Sequence, residues 1–461
     1  MKIPKRARYR MHAPKFGAID AKSDESVHGF SVATECYNFD FSSGALRDGY
    51  GISASDVVPS EALRYWVYRA YSEDAGGYVD QYVFQIANGR LKYYNKSEQK
   101  TKYVSTVVLN PASVINYRLD SKDVLLISCE GKGLLVWDGL SLKEYREAPK
   151  ITSMALHYER LFVTSSVDPT KLFFSDDLNP TNWKVSSDAG GFIEFLDERG
   201  ELKKVVSFGN YLYLFREHGI SRVTAYADQG EFSAVNLYVP AGRIYEQSIA
   251  VCGSVIIFAA SDGLYAFDGY ECTRIAKNLG GMIDGKYAVA SAYHNGKYYL
   301  SCRIDFDDGC AVGCESGEYA ANALFVYDLA HGEYSISRGL DISYLGSCTY
   351  DGADMLVAVD GSGAGVIERS GKRFDVPLEK KWTGALDDFG SPDRTKTLRE
   401  LYIDSSVECN VLLENGKHTK TVKIKPGDRR VRVNMSTKKL RIAVATDKYG
   451  CNIRIPTVVY S

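Results

Sequence analysis

The sequence predicts an all-β protein: a β-propeller of six to eight blades, seven by direct count, followed by a small C-terminal β-sandwich-like domain. Three observations carry that expectation. Strand–turn–strand units return along the chain with starts near 64, 112, 151, 203, 246, 287 and 342, a spacing of 39 to 55 residues. Four antiparallel strands at that period make one propeller blade, and closing the blades into a ring hides the inner sheet edges. Turn dipeptides punctuate the units at Asn88-Gly89, Asp138-Gly139, Asp262-Gly263, Asn295-Gly296 and Asp351-Gly352, where positive φ suits a tight hairpin. The composition leans the same way, with 33 Tyr and 41 Gly against 12 Pro and 6 Met. A tyrosine ring packs on a strand while its hydroxyl stays hydrated or bonded. A solenoid fits less well, because the spacing is irregular and many strands are only four residues long.

In chain order, residues 1–29 form a basic N-terminal arm. The propeller is expected over residues 30–376. Within it, residues 30–52, "FSVATECYNFDFSSGALRDGYGI", read as two short strands around a Ser-Ser-Gly turn. Lying ahead of the first blade, they are expected to complete the last blade and close the ring. The blades are visible as apolar hairpin arms such as "YVFQIANGRLKYY" (82–94), "VLLISCEGKGLLVWDG" (124–139) and "YLYLFREHGISRVTAY" (211–226). In "SDGLYAFDGYECTRI" (261–275), Gly263 turns between the middle strands of blade five and Asp268-Gly269 leads to its outer strand. After Val376 the rhythm changes. Residues 377–461 alternate apolar and polar positions around turns at Asn415-Gly416 and Pro426-Gly427, the pattern of a small sandwich.

The net charge of −2 conceals an asymmetry. Residues 1–22 carry seven Lys/Arg against Asp20, and residues 377–461 carry 17 Lys/Arg against 10 Asp/Glu, which leaves the middle at −15. Basic ends on an acidic body suggest docking onto acidic neighbours or nucleic acid. Ten cysteines show no CxxC pair, and several lie in or beside strands, so free thiols in a reducing compartment are expected. No apolar stretch follows "MKIPKRARYR" as a signal peptide requires, and no apolar run is long enough to span a bilayer.

No catalytic, cofactor-binding or metal-binding residues are assigned, and an enzyme is not expected. The seven histidines, His12, His28, His157, His218, His294, His331 and His418, show no spacing typical of nucleophilic or zinc catalysis, and GxSxG, HExxH and P-loop motifs are missing. Cys302, Cys310 and Cys314 with Asp305, Asp307 and Asp308 are the best metal candidate. They lack an obvious fourth ligand and the calcium-loop glycine position, so they read as a polar loop. "SDDLNPTNW" (175–183) is similar to the Asp-box turn of sialidase-like propellers, with Asn179 in place of Gly and one extra residue before Trp183. That turn is structural, and glycoside cleavage would need a placed carboxylate pair as well. An acidic propeller gives phosphates little to bind, which suits a conduit for DNA better than a wrapping surface.

Four stretches, "ECYNFDFSSGALRDGYG" (35–51), "ERLFVTSSVDPTKLFFSDDLNPTNW" (159–183), "SDGLYAFDGYE" (261–271) and "DDFGSPDRTKTLRELYID" (387–404), carry a resemblance. In this order they resemble propeller-bearing virion proteins of tailed bacteriophages, above all the tail hub, nozzle and packaged-DNA stabilisation proteins of short-tailed phages. The resemblance implies a homo-oligomeric ring, usually a hexamer, below the portal and adaptor proteins and beside tail fibres or tailspikes. Such a ring would retain packaged dsDNA and form its exit channel, in a virion tail assembled in the bacterial host cytoplasm. It implies no cofactor and no catalytic residues. The alternatives are a lectin-like carbohydrate- or receptor-binding propeller and, behind it, a sialidase-type glycoside hydrolase. Under the first reading, deleting residues 1–15 is expected to leave folding intact and abolish incorporation into particles.

Overall fold

A computed structural model describes residues 7–13, 15–23, 28–96, 98–105, 108–187, 189–226, 228–237, 242–279, 281–304, 306 and 321–461. The protein is all-β, a seven-bladed propeller joined to a two-sheet sandwich. Blade 1 runs through Arg64–Ser72, Gly77–Gln85, Leu91–Asn95 and Lys100–Tyr103, each strand antiparallel to the next. Blades 2 to 6 repeat that meander over residues 111–145, 151–194, 202–237, 244–275 and 288–338. Two turns show how sequence sets the shape. Asp138 and Asp268 each accept backbone N–H bonds from the two residues after the following glycine, fixing the turn into the outer strand. Gly139 and Gly269 sit at φ +90° and +102°, which glycine adopts without penalty.

Blade 7 supplies only three consecutive strands, Tyr344–Tyr350, Ala353–Asp360 and Gly363–Glu368. Its fourth is Gly51–Ser53, with Glu368 paired to Gly51, Ile367 to Ile52 and Val366 to Ser53. A Cβ at Gly51 would strike the Lys372 carbonyl, so the closing strand needs glycine there. The expectation that all of residues 30–52 complete the last blade is corrected. Ala33–Tyr37 pairs with Lys380–Gly384 in the sandwich, and Phe39–Asp40 and Leu46–Asp48 form a small sheet with Asn452–Ile453. The diversion is made at Asn38, whose φ is +60°. Its N–H donates to Ile336 O, its side-chain amide to Glu379 O, and its side-chain oxygen accepts from the Arg338 N–H. One residue thus ties blade 6 to the sandwich and turns the chain away from the ring.

The sandwich has a five-stranded sheet, in the order Ala33–Tyr37, Lys380–Gly384, Arg441–Thr446, Cys409–Glu414 and Thr419–Ile424. Facing it is a four-stranded sheet of Tyr9–Met11, Thr457–Tyr460, Lys396–Tyr402 and Val431–Thr437. Trp382, Leu398, Leu401, Val411, Ile442 and Val444 fill the space between them, all fully buried. This core does not stop at the sandwich. Through Phe16 and Ile19 of the arm and Phe30 just after it, this core runs into Tyr298, Leu300 and Phe325 of blade 6 and Ile257 of blade 5. Phe16 meets Trp382 edge-on at 4.7 Å, the Trp382 indole donates to Gly17 O, and the Tyr334 hydroxyl of blade 6 donates to Ile19 O at 2.6 Å. Beside it Lys380, its side chain fully buried, donates to Lys448 O and faces Asp48 at 3.3 Å.

The arm is therefore part of its own chain's fold. Tyr9–Met11 pairs with residues 458–460, Tyr9 stacks on Tyr460 at 5.6 Å, and Ala13 is buried. Those contacts lie within residues 1–15, so the deletion expected to leave folding intact also removes part of the sandwich sheet.

Candidate docking surface

The titratable groups that could suggest chemistry are engaged in holding blades together. The Tyr68 hydroxyl of blade 1 donates to Asp123 O of blade 2 at 2.7 Å, and Tyr213 of blade 4 to Gly269 O beside blade 5. Tyr298 of blade 6 donates to Ser248 O of blade 5, and Tyr344 of blade 7 to Tyr65 O of blade 1. Histidines serve two further joints. His157 Nδ1 lies 2.9 Å from Ser207 Oγ between blades 3 and 4, and His294 Nδ1 3.1 Å from Ser347 Oγ between blades 6 and 7. Both end the first strand of their blade. Burial pushes His157 down to about 4 and His294 below its ordinary value, so both rings are neutral at neutral pH. The joint between blades 2 and 3 is apolar, with Leu134 and Val136 against Met154, Val163 and Trp183.

Other conspicuous groups have similar duties. Arg216 is fully buried, gives two 2.8 Å bonds to Asp197, and holds that carboxyl down at about 2 against the opposing effect of burial. Lys204, pushed down to about 8 by desolvation, donates to Ile249 O across the joint between blades 4 and 5. Asp341 and Asp360 come into direct contact, too close to flank a glycosidic bond. Both are clamped by Arg373, whose strand Lys372–Arg373 lies along the closing strand. Asp341 is pushed up, first by burial and then by Asp360. These are staples of the fold.

The Asp-box-like stretch is a turn. Ser175 Oγ accepts the Leu161 N–H, Asp176 accepts from the Asn182 side chain, and Trp183 is buried against blade 2. Cys302 is a buried strand residue whose thiol burial pushes up to about 12. Asp305, Asp307, Asp308, Cys310 and Cys314 lie outside the described residues. Among the described residues no group of three His, Cys, Asp or Glu is placed to hold a metal. His12 and His28 lie on the arm, His218, His331 and His418 in separate exposed turns, and no two of the seven histidines are brought together into a site. No helix among the described residues is long and apolar enough to cross a membrane.

What the fold does assemble is a basic face, from two segments at opposite ends of the chain. Across the four-stranded sheet Arg10 pairs with Val459, Val459 with Glu400, and Glu400 with Arg432, a single row sharing one face. Arg430 donates to Glu400 Oε1 at 2.5 Å, and Arg8 approaches the same oxygen at 3.6 Å. Arg430 first, then the Tyr402 hydroxyl and Arg8, hold the Glu400 carboxyl below its ordinary value. Two residues along the strands, Tyr402 and Thr457 pair on the same face and line a cleft of about 790 Å³. His12, Lys15, Arg429 and Arg454 line it too. His12 Nδ1 sits 2.9 Å from Thr457 Oγ1, and Arg454 lies 3.7 Å from Asp404, both side chains exposed. The sequence showed both basic segments; their meeting depends on a strand pairing between residues 9–11 and 458–460.

No protein-family model matches the chain, and no curated protein matches it. Among solved structures, BBS1N in complex with ARL6DN aligns over 70% of this chain and 95% of its own, at 12% identity and a TM-score of 0.43. The extracellular domain of the putative hybrid two component system BT3049 from B. thetaiotaomicron aligns over 85% of this chain and 50% of its own, at 13% identity and a TM-score of 0.45. That of the putative one component system BT4673 from the same organism aligns over 92% and 62%, at 10% identity and a TM-score of 0.46.

Proposed function

We propose that the protein is a structural subunit of a bacteriophage tail, a hub or nozzle ring below the portal and adaptor that retains packaged DNA and forms its exit channel. The observation that carries this reading is the place of the stretch 387–404, one of the four phage-like motifs. Asp387 accepts the Phe30 N–H at the end of the arm and bridges to Leu440, Phe389 packs on Tyr460 at 4.8 Å, and Lys396 donates to Asp388 O and Lys438 O. Through these contacts the motif ties the arm to the sandwich, whose core is continuous with blade 6. A propeller whose polar groups bond blade to blade, fused through a shared core to a second domain, suits a part that transmits load and presents surfaces. A ring of six copies and contacts with portal, adaptor and tail fibres belong to this proposal.

The test is peptide mass spectrometry on density-purified particles from a culture carrying the gene, with copies counted relative to the portal protein. About one copy per portal subunit, or half that, is the expected result. Absence from particles, with the protein in the soluble lysate, overturns the reading in favour of a carbohydrate-binding propeller.

A further inference from the structure

We propose that the basic face of the sandwich binds the phosphate backbone of a nucleic acid, an inference that goes beyond the structural role above and does not depend on it. Seven cationic side chains, Arg8, Arg10, Lys15, Arg429, Arg430, Arg432 and Arg454, share this face and its cleft with two carboxylates, Glu400 and Asp404. Glu400 is already engaged by Arg8 and Arg430, so the face keeps a net positive charge. Six of the seven are arginines, whose planar forks match phosphate oxygens two at a time and stay charged at any working pH.

Geometry agrees with the charge. From Arg10 to Arg432 the row crosses three strand spacings, about 14 Å, the axial length over which one nucleic acid strand presents about four phosphates. Hydroxyls of Ser42 and Thr457 line the adjoining cleft and can donate to phosphate or sugar oxygens. Such contacts position a backbone without reading bases, so binding is independent of sequence and steeply dependent on salt.

The rival occupant is the acidic propeller of a second copy. Its carboxylates are less free than the net charge suggests: Asp197, Asp328 and Asp360 are bonded to Arg216, Lys297 and Arg373 of the same chain. A phosphate backbone offers unpaired charge at regular spacing, and it fits the row better.

The experiment is fluorescence anisotropy of the full chain with a labelled random-sequence 30-base-pair DNA. With about four phosphates neutralised, affinity at 200 mM salt should be about a hundredfold weaker than at 50 mM. The triple variant Arg10→Ala, Arg429→Ala, Arg454→Ala alters exposed side chains only. It should bind at least about tenfold more weakly, with a salt slope flatter by about 1 for each arginine removed. The corresponding Arg→Lys triple should keep most of that slope, which separates lost charge from a disturbed fold. Substituting Lys100, Lys122 and Lys143 on the propeller with Ala should change nothing. The proposal is overturned if the wild-type chain leaves the DNA anisotropy unchanged at 50 mM salt, or if the arginine triple binds as the wild type does. It is equally overturned if that triple leaves DNA binding intact and dissolves an oligomer in sedimentation velocity, since the face then belongs to a second copy.

Discussion

Blades 1 to 6 pair strands that follow one another along the chain, with only the closing strand of blade 7 brought from afar, whereas the sandwich pairs Tyr9–Met11 with Thr457–Tyr460 and Ala33–Tyr37 with Lys380–Gly384. The first kind of pairing is set by local turns; the second must wait for distant segments to meet, and pays loop-closure entropy to do so. The two regions also differ in how their polar groups are used. In the propeller, tyrosine and histidine bond across the joints between blades. In the sandwich, arginines from both ends of the chain stay at the surface. A ring of local hairpins thus forms the rigid acidic body, and the long-range pairing gathers the basic surface that the body carries.

Four changes would break or sharpen that contrast. The largest effect is expected from Trp382→Ala, which empties the centre of the core shared by sandwich, arm and blade 6; about 3–5 kcal/mol should be lost in urea unfolding. If the two regions are one body, the loss falls on a single transition seen by every probe. A separate early transition for the sandwich alone would divide them.

Acidification should act on the propeller joints. The folded His157 titrates near 4 against an ordinary value of 6.5, so between those values the unfolded chain binds the extra proton and stability falls as pH drops. The share due to this group is about 2–3 kcal/mol at pH 4, and His157→Gln should remove it from the pH dependence of unfolding. An unchanged pH profile in that variant would show the joint to be open to water.

Deleting residues 1–15 should cost about 2 kcal/mol, because a strand, the Tyr9–Tyr460 stack and the burial of Ala13 go with it. A melting temperature equal to that of the full chain would mean that the arm adds nothing to the sheet. The smallest effects belong to single joints: Tyr68→Phe, Tyr213→Phe and Tyr344→Phe should each cost about 1 kcal/mol, additively for such distant sites. Strong coupling among the three would reveal a ring that yields as a whole.

The propeller was legible because its information is local. Asp-Gly and Asn-Gly pairs mark turns by their own chemistry, as Asp138 and Asp268 show, and alternation identifies the strands between them. The surplus of tyrosine also found its use, at four joints of the ring. Partner choice was not legible. The pattern of residues 33–37 says that one face is apolar, not that its neighbour is Lys380–Gly384 rather than blade 7, and the decision rests on Asn38 turning at φ +60°. The same holds for the basic face: charge at each end is plain in the sequence, while the row from Arg10 to Arg432 exists only through two intervening strands.

Propeller and sandwich share one core through the arm, and amide hydrogen exchange in the full chain and in Trp382→Ala tests this most directly. A shared core predicts that the substitution speeds exchange in Lys297–Cys302 of blade 6 together with Lys380–Gly384 of the sandwich, while blades 2 and 3 stay protected. Faster exchange confined to the sandwich strands would contradict it, and the two regions would then be separate domains.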